Sequence, residues 1–260
     1  MNILLTNDDG INSEGIQSLY TVLSKKHSVY VIAPASEKSA CSNAITVRTQ
    51  LTIKRIEENK FSVTGFPADC VIIGLSGNFI PDVNLVVSGI NHGPNVGDDL
   101  IFSGTVGGAR TAYLFGKTAI SISINSYKHA SKYFNDASSF LSKFIDSTII
   151  ENDQRLEYDR NLAKNPAASI KFFNINYPEL PQSEIKGEKY TYAGRRIYKD
   201  SFKTAEFQTD ELVLQMGGYI ESVHTDGSDT TELDKGYISI TPLLIDCTDY
   251  SYLKKRHGKK

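Results

Sequence analysis

The 260-residue chain has no tryptophan and only three cysteines, Cys41, Cys70 and Cys247, far apart and without a C-x-x-C pair. Neither a disulfide framework nor a thiolate zinc site is supported, and free thiols in a reducing compartment are the expectation. Long apolar runs are missing too. No stretch approaches the roughly 18 residues of a membrane span. The opening MNILLTNDDG lacks a basic region and meets two carboxylates at once, so no secretory signal is expected. A basic excess is absent, with 28 Lys and Arg against 30 Asp and Glu, which removes the non-specific pull toward phosphate backbones; no nucleic-acid partner is expected. Low-complexity tracts and internal repeats are lacking as well. With 40% apolar and 22% charged residues, what remains is an ordinary globular chain, expected in the cytoplasm without a membrane partner and long enough to bury a large core.

Periodicity predicts an α/β fold. An apolar run at 2–6 is followed by a polar turn and an amphipathic helix over 14–26, with Ile16, Leu19, Tyr20 and Leu23 at helical spacing. A second β-rich run at 29–33 makes this a parallel βαβ opening, since the helix supplies the crossover. Alternation over 45–64 around Glu57-Glu58-Asn59-Lys60 predicts a hairpin, and Pro67 opens a helix ending at Gly77. Further strands are expected at 84–88 and 118–123, with a helix over 105–115 between them stopped by Gly116, and a polar helix over 131–147. Residues 151–165 read as a charged surface loop. Strand-like runs at 170–175, 189–193, 212–216 and 237–241 make the remainder β-rich, with 178–235 forming projecting arms for self-association and a frayed basic tail at 254–260. The chain is thus a single domain over 1–260: a Rossmann-like three-layer core with a mostly parallel sheet over about 1–150 and a β-rich extension over 151–260.

Three loops carry the candidate chemistry, because in an open α/β sheet the carboxyl ends of the strands define the ligand crevice. The first is Thr6-Asn7-Asp8-Asp9-Gly10. Adjacent carboxylates in a strand face opposite sides, but in a turn both can point to one spot, and then either a cation lies between them or one stays protonated. The same residues serve equally well as a plain Asp-Gly turn. The second loop, 34–43, offers Ser36, Ser39, Ser42 and Asn43; Ser39 could complete a magnesium or manganese shell while backbone amides face a phosphate. The third, SGINHGPNVGDDLIFSGTVGG over 88–108, has six glycines and places Ser-Gly-Thr just before a helix, where free amides and the dipole favour an anion. A loop of this length without structure is uncommon unless functional. His92 reads either as a site residue or as a structural histidine, and Asp98 and Asp99 as supporting or capping groups, since four carboxylates would overcharge one divalent ion.

Taken together, NILLTNDDG, PASEKSACSNAIT, VVSGINHGPNVGDDLIFSGTVGGA and GYISITPL resemble, in order and across nearly the whole chain, the stationary-phase survival protein SurE family of metal-dependent 5′-nucleotidases. The resemblance implies one divalent cation, Mg2+ or Mn2+, on Asp8, Asp9, Ser39 and Asn91. It implies phosphate and substrate contacts from Asn43, Asn95, Ser103, Gly104 and Thr105, and a homodimer or homotetramer with exchanged C-terminal elements. The implied reaction is hydrolysis of nucleoside 5′-monophosphates, with 3′-nucleotides and short polyphosphate as further substrates. Asp8 either orients and deprotonates the attacking water or is itself phosphorylated. Phe102 and Thr111 depart from the family's usual Tyr and Glu, and the end of the chain at Lys260 leads one to expect a short or missing C-terminal helix. Two rivals are weaker. A nicotinamide enzyme would need G-x-G-x-x-G, which neither glycine-rich segment supplies. A phospho-receiver would need a carboxylate where the third strand ends in Ser88-Gly89-Ile90-Asn91, leaving a non-enzymatic metal- and phosphate-dependent nucleotide-sensing module as the alternative.

Overall fold

The computed structural model describes residues 1–126, 131–150, 170–208 and 211–257. Its opening follows the apolar pattern: β1 (Asn2–Thr6), α1 (Glu14–Leu23) and β2 (Ser28–Pro34) form a parallel βαβ unit. The expected hairpin is β3 (Ile53–Glu57) with β4 (Lys60–Val63), and α2 (Pro67–Ser76) starts on its proline. Then come β5 (Leu85–His92), the short α3 (Asp99–Phe102), α4 (Gly104–Leu114) and β6 (Thr118–Ile124). Next are α5 (Phe134–Phe144) with a π-helical turn at Ile145–Ile150, and β7 (Phe172–Tyr177). The C-terminal part holds β8 (Glu188–Tyr190), β9 (Arg195–Gln208), β10 (Glu211–Val223), α6 (Asp229–Asp234), β11 (Ile238–Pro242) and α7 (Tyr250–His257).

Nine strands build one sheet in the order β3-β4-β2-β1-β5-β6-β7-β11-β8, parallel from β4 through β7, while β9 and β10 pair antiparallel with each other outside it. Helices cover both faces. Ile3 and Leu5 of β1 join Ile16, Leu19 and Leu23 of α1 and Leu141 of α5 in one core. Leu4, pointing the other way, joins Val71 of α2 and Val106 and Ala109 of α4 in a second. Each fully buried Leu or Ile of α1 is worth roughly 1.5–3 kcal/mol relative to exposure, which holds the helix on the sheet. The chain runs from β1 to β2 on one side and returns to β5 on the other, so the crevice at the strand-order reversal lies beyond Thr6 and Ser88, which are register partners. Among the described residues no helix is long and apolar enough to cross a membrane.

Several expectations are corrected. The strand expected at 84–88 runs on to His92, with a register shift against β6 between Ser88 and Asn91. Gly89 permits this with φ +142° in a place where a Cβ would come within 2.2 Å of the Ile122 carbonyl oxygen. The 88–108 segment is therefore no long loop: strand occupies its start, and α3 and α4 occupy its end. Helix α1 stops at Leu23 and α5 starts at Phe134. The strand at 212–216 is the first part of a longer β10, while β9 and α6 were not anticipated. The described part of the tail is helical through His257 rather than frayed, and this C-terminal helix is a short one of 8 residues, in line with the expectation of a short or missing helix. The loop expected at 151–165 lies outside the described residues.

Candidate active site

The first two loops are laced together. Asn7 Nδ2 donates to the Gly10 carbonyl at 2.9 Å and to Ser13 Oγ at 2.7 Å, closing the acidic turn. The Lys38 amide donates to the Asp8 carbonyl at 2.7 Å, and the Ile11 amide to the Pro34 carbonyl at 2.9 Å. From the other side arrives the N-terminus of α4, capped by Ser103, whose Oγ accepts the Val106 amide at 3.1 Å. The Thr105 hydroxyl donates to Asp8 Oδ1. Burial, reinforced by the neighbouring Asp9, pushes the Asp8 carboxyl up to about 6 against the opposing hydrogen bond from Thr105. Burial, with the charge of Asp8, likewise pushes the Cys41 thiol up to about 11, keeping it protonated beside the site.

The close approach needs a glycine at 104. A Cβ there would lie 2.5 Å from Cys41 Sγ and 2.9 Å from Asp8 Oδ2. Gly104→Ala is expected to displace the Asp8 carboxylate and lower kcat on the order of 100-fold, with a stability loss of about 1–3 kcal/mol. Steady-state kinetics and thermal unfolding check both.

A cavity of about 220 Å3 opens at this junction. Of the expected site residues, Asp8, Ser39, Asn91, Asn95 and Ser103 line it. Asp9 stands beside it: its Oδ2 is buried without a hydrogen-bond partner among the described residues, 3.4 Å from Nδ1 of His92, a lining residue. Gly104 and Thr105 touch the site through Asp8. Asn43 does not line the cavity. Its Nδ2 donates to Thr111 Oγ1 at 2.7 Å and to the Gly107 carbonyl at 3.1 Å, and its Oδ1 accepts from Arg110 at 2.8 Å. Thr111, one of the two departures, thus fixes Asn43 to α4.

The donor set fits a hard divalent cation. Asn91 spends its Nδ2 on the carbonyls of His92, at 3.0 Å, and Gly93, at 2.8 Å, which leaves Oδ1 as the free end. Ser39 is exposed, its hydroxyl donating to Glu37 at 2.7 Å. Two carboxylates, one with a buried oxygen that has no hydrogen bond among the described residues, completed by amide and hydroxyl oxygens, are the ligand type magnesium and manganese take. Asn95 is held from β6 and β7: its Nδ2 donates to Ser123 Oγ at 2.8 Å and its backbone amide to Asn176 Oδ1 at 2.8 Å.

Residues from the far end of the chain complete the walls and were not found from sequence. Tyr198 of β9 lines the cavity and donates its hydroxyl to Asp99 Oδ1, while the buried Arg196 guanidinium pairs with Asp99 Oδ2. Asp98 Oδ2 accepts the Arg196 amide at 2.7 Å and Arg195 Nε at 3.1 Å. Asp229 binds the amides of Gly97 at 2.9 Å and Gly194 at 2.7 Å, tying the 93–98 loop to the base of the arm. The aspartates at 98 and 99 are therefore anchors for β9 rather than helix caps.

Comparison with known proteins agrees with this architecture. The family model described as Survival protein SurE matches residues 3–200. The chain is 38% identical to a 5′-nucleotidase SurE of Leptospira interrogans over 97% of its own length and 95% of the relative's. It is 37% identical to a 5′-nucleotidase SurE of Kosmotoga olearia over 98% and 96%. The crystal structure of the SurE protein from Aquifex aeolicus superposes with a TM-score of 0.76 at 28% identity, covering 100% of both chains. A match to the family model over most of the chain, with such relatives along its full length, means that the chain belongs to the survival protein SurE family.

Proposed function

We propose that the chain is a 5′-nucleotidase that hydrolyses nucleoside 5′-monophosphates to nucleoside and phosphate with the help of one divalent cation, Mg2+ or Mn2+, on Asp8, Asp9, Ser39 and Asn91. The observation that carries the reading is Asp9 Oδ2, buried next to Asp8 without a hydrogen bond among the described residues and 3.4 Å from His92 Nδ1, with Asp8 in front of the α4 N-terminus. Two carboxylates so placed favour a cation, and the helix end beside them favours an anion; a phosphate bound together with a divalent ion satisfies both. When bound, the cation would offset charge developing on the phosphoryl group and acidify water.

The chain's own residues then do the following. Backbone amides at Gly104 and Thr105, the Ser103 hydroxyl and the Asn95 side chain hold the phosphate oxygens, with Asn43 keeping the second loop against α4. Asp8, fixed by Thr105, orients the attacking water and takes its proton. Water oxygen bonds to phosphorus and the P–O5′ bond breaks; the departing O5′ takes a proton from solvent water and leaves as the nucleoside hydroxyl, and Asp8 gives the proton it took back to solvent. A cytoplasmic location and self-association as a dimer or tetramer belong to the same reading. The β9–β10 arm supports association: Phe202, Leu214, Met216 and Tyr219 are exposed on it.

The test is phosphate release from nucleoside 5′- and 3′-monophosphates with magnesium, manganese or chelator. Expected is metal-dependent release favouring 5′-monophosphates. Phosphate retained on the protein would instead favour an aspartyl-phosphate at Asp8, and no release from folded protein with any metal would favour the sensing-module alternative.

A further inference from the structure

The cavity lining mixes two kinds of side chain: the polar Asp8, Asn91, Asn95 and Ser103, and the aromatic Phe102 and Tyr198. The Phe102 ring is 53% exposed although its backbone is fixed, its carbonyl accepting the Ser42 amide at 2.8 Å. Tyr198 meets it edge to face, ring centroids 5.8 Å apart and planes at 83°. The Tyr198 hydroxyl is committed to Asp99, and burial together with that carboxylate raises its pKa, so it stays a donor to Asp99. The cavity wall thus presents a half-exposed aromatic ring with one edge-to-face partner.

Resting on the nucleotidase reading, we infer that Phe102 is the stacking platform for the nucleobase and Tyr198, carried in by the β9 arm, the positioning residue that holds it, so that the enzyme tells nucleotides from other phosphomonoesters by stacking. Every base has a π-face, whereas hydrogen bonding would select one. The consequence is tolerance among bases, purines somewhat ahead of pyrimidines, together with discrimination against a substrate that has the sugar and phosphate but no base. Tyr198 also makes the arm part of the substrate site, although it lies 96 positions beyond Phe102 in the chain.

The experiment compares kcat/KM for adenosine 5′-monophosphate and ribose 5-phosphate in the parent, Phe102→Ala, Phe102→Tyr and Tyr198→Phe. In parallel, calorimetry measures binding of adenosine, which carries no phosphate to release. Expected is a parent preference for the nucleotide that falls about 10-fold in Phe102→Ala, mainly through KM, and is restored in Phe102→Tyr. Adenosine affinity falls in step. Tyr198→Phe, which keeps the ring but not the Asp99 bond, gives a smaller loss of the preference. Turnover of both substrates with an unchanged ratio in Phe102→Ala, whose folding is checked by Tm, would overturn the inference and leave the nucleotidase reading standing. Turnover of neither substrate by the parent sinks the nucleotidase reading; the adenosine titration then decides alone, an affinity lost in Phe102→Ala supporting the platform and absence of binding to the parent overturning it.

Discussion

Asp8→Asn is expected to abolish metal-dependent phosphate release, by on the order of 10^3- to 10^4-fold in kcat/KM, while making the metal-free protein more stable. The two effects have one origin. Asp8 is 4% exposed, and its carboxyl is pushed from 3.8 up to about 6 by burial and then by Asp9. An acid raised in this way costs the folded state when it ionises, about 3 kcal/mol by proton linkage. The sign follows from the proton count: the folded protein holds the proton more tightly. The penalty is therefore fully present above about pH 6, shrinks as pH falls, and is gone below about pH 4. Asparagine keeps an oxygen to accept from Thr105 and carries no charge. With chelator at pH 7 the variant should melt roughly 8 °C above the parent, and the two curves should merge near pH 4. Added magnesium or manganese should raise the Tm of the parent and leave Asp8→Asn nearly unmoved. A variant that melts lower in chelator would mean that the Asp8 charge is stabilised by the protein alone, and the cation would lose its argument.

The elements legible in the sequence are those whose side chains point at a core. β1, α1 and β2 announce themselves through Ile3, Leu5, Ile16, Leu19 and Val31, which all meet in one buried cluster. The acidic turn was legible for the same reason, as the place where that apolar pattern stops abruptly at two carboxylates. β9 was not, because among the described residues Arg195–Gln208 pairs with β10 alone, outside the main sheet, so its residues carry no clean alternation. α6 was hidden because DTTELD has a single core residue, Leu233, and is started by the Ser228 cap rather than by periodicity. The run through His92 was cut short at Ser88 because Gly89 reads as punctuation, whereas the structure uses its positive φ to turn the strand and carry Asn91 to the cavity. At the site, the sequence pointed to Asp8, Ser39, Asn91, Asn95 and Ser103, which line the cavity, and to Asn43, which does not. It missed Arg196 and Tyr198, since nothing local in RRIYKD says that this stretch folds back onto Asp99.

That fold-back has a large expected consequence. Arg196→Met should destabilise the protein by about 3 kcal/mol, lowering Tm by roughly 8 °C. The Arg196 and Asp99 side chains are only 8% and 11% exposed, so removing the guanidinium strands a carboxylate that has little water to turn to. The Tyr198 hydroxyl and the Val96 amide, 3.3 Å from Asp99 Oδ2, remain but carry no full charge. Pairing the change with Asp99→Asn removes the stranded charge while keeping an acceptor for Tyr198. The double variant should therefore lose less than the sum of the two single losses, by about 1–3 kcal/mol in a double-mutant cycle. Strict additivity would show that the pair is not coupled and that β9 is held by the Asp98 and Asp229 bonds to backbone amides alone. Because the same carboxylate fixes Tyr198, Arg196→Met should also raise KM for nucleotides more than it lowers kcat. Stability of the arm and recognition at the cavity mouth thus meet on Asp99, a residue whose chemistry is structural and whose position makes it part of the site.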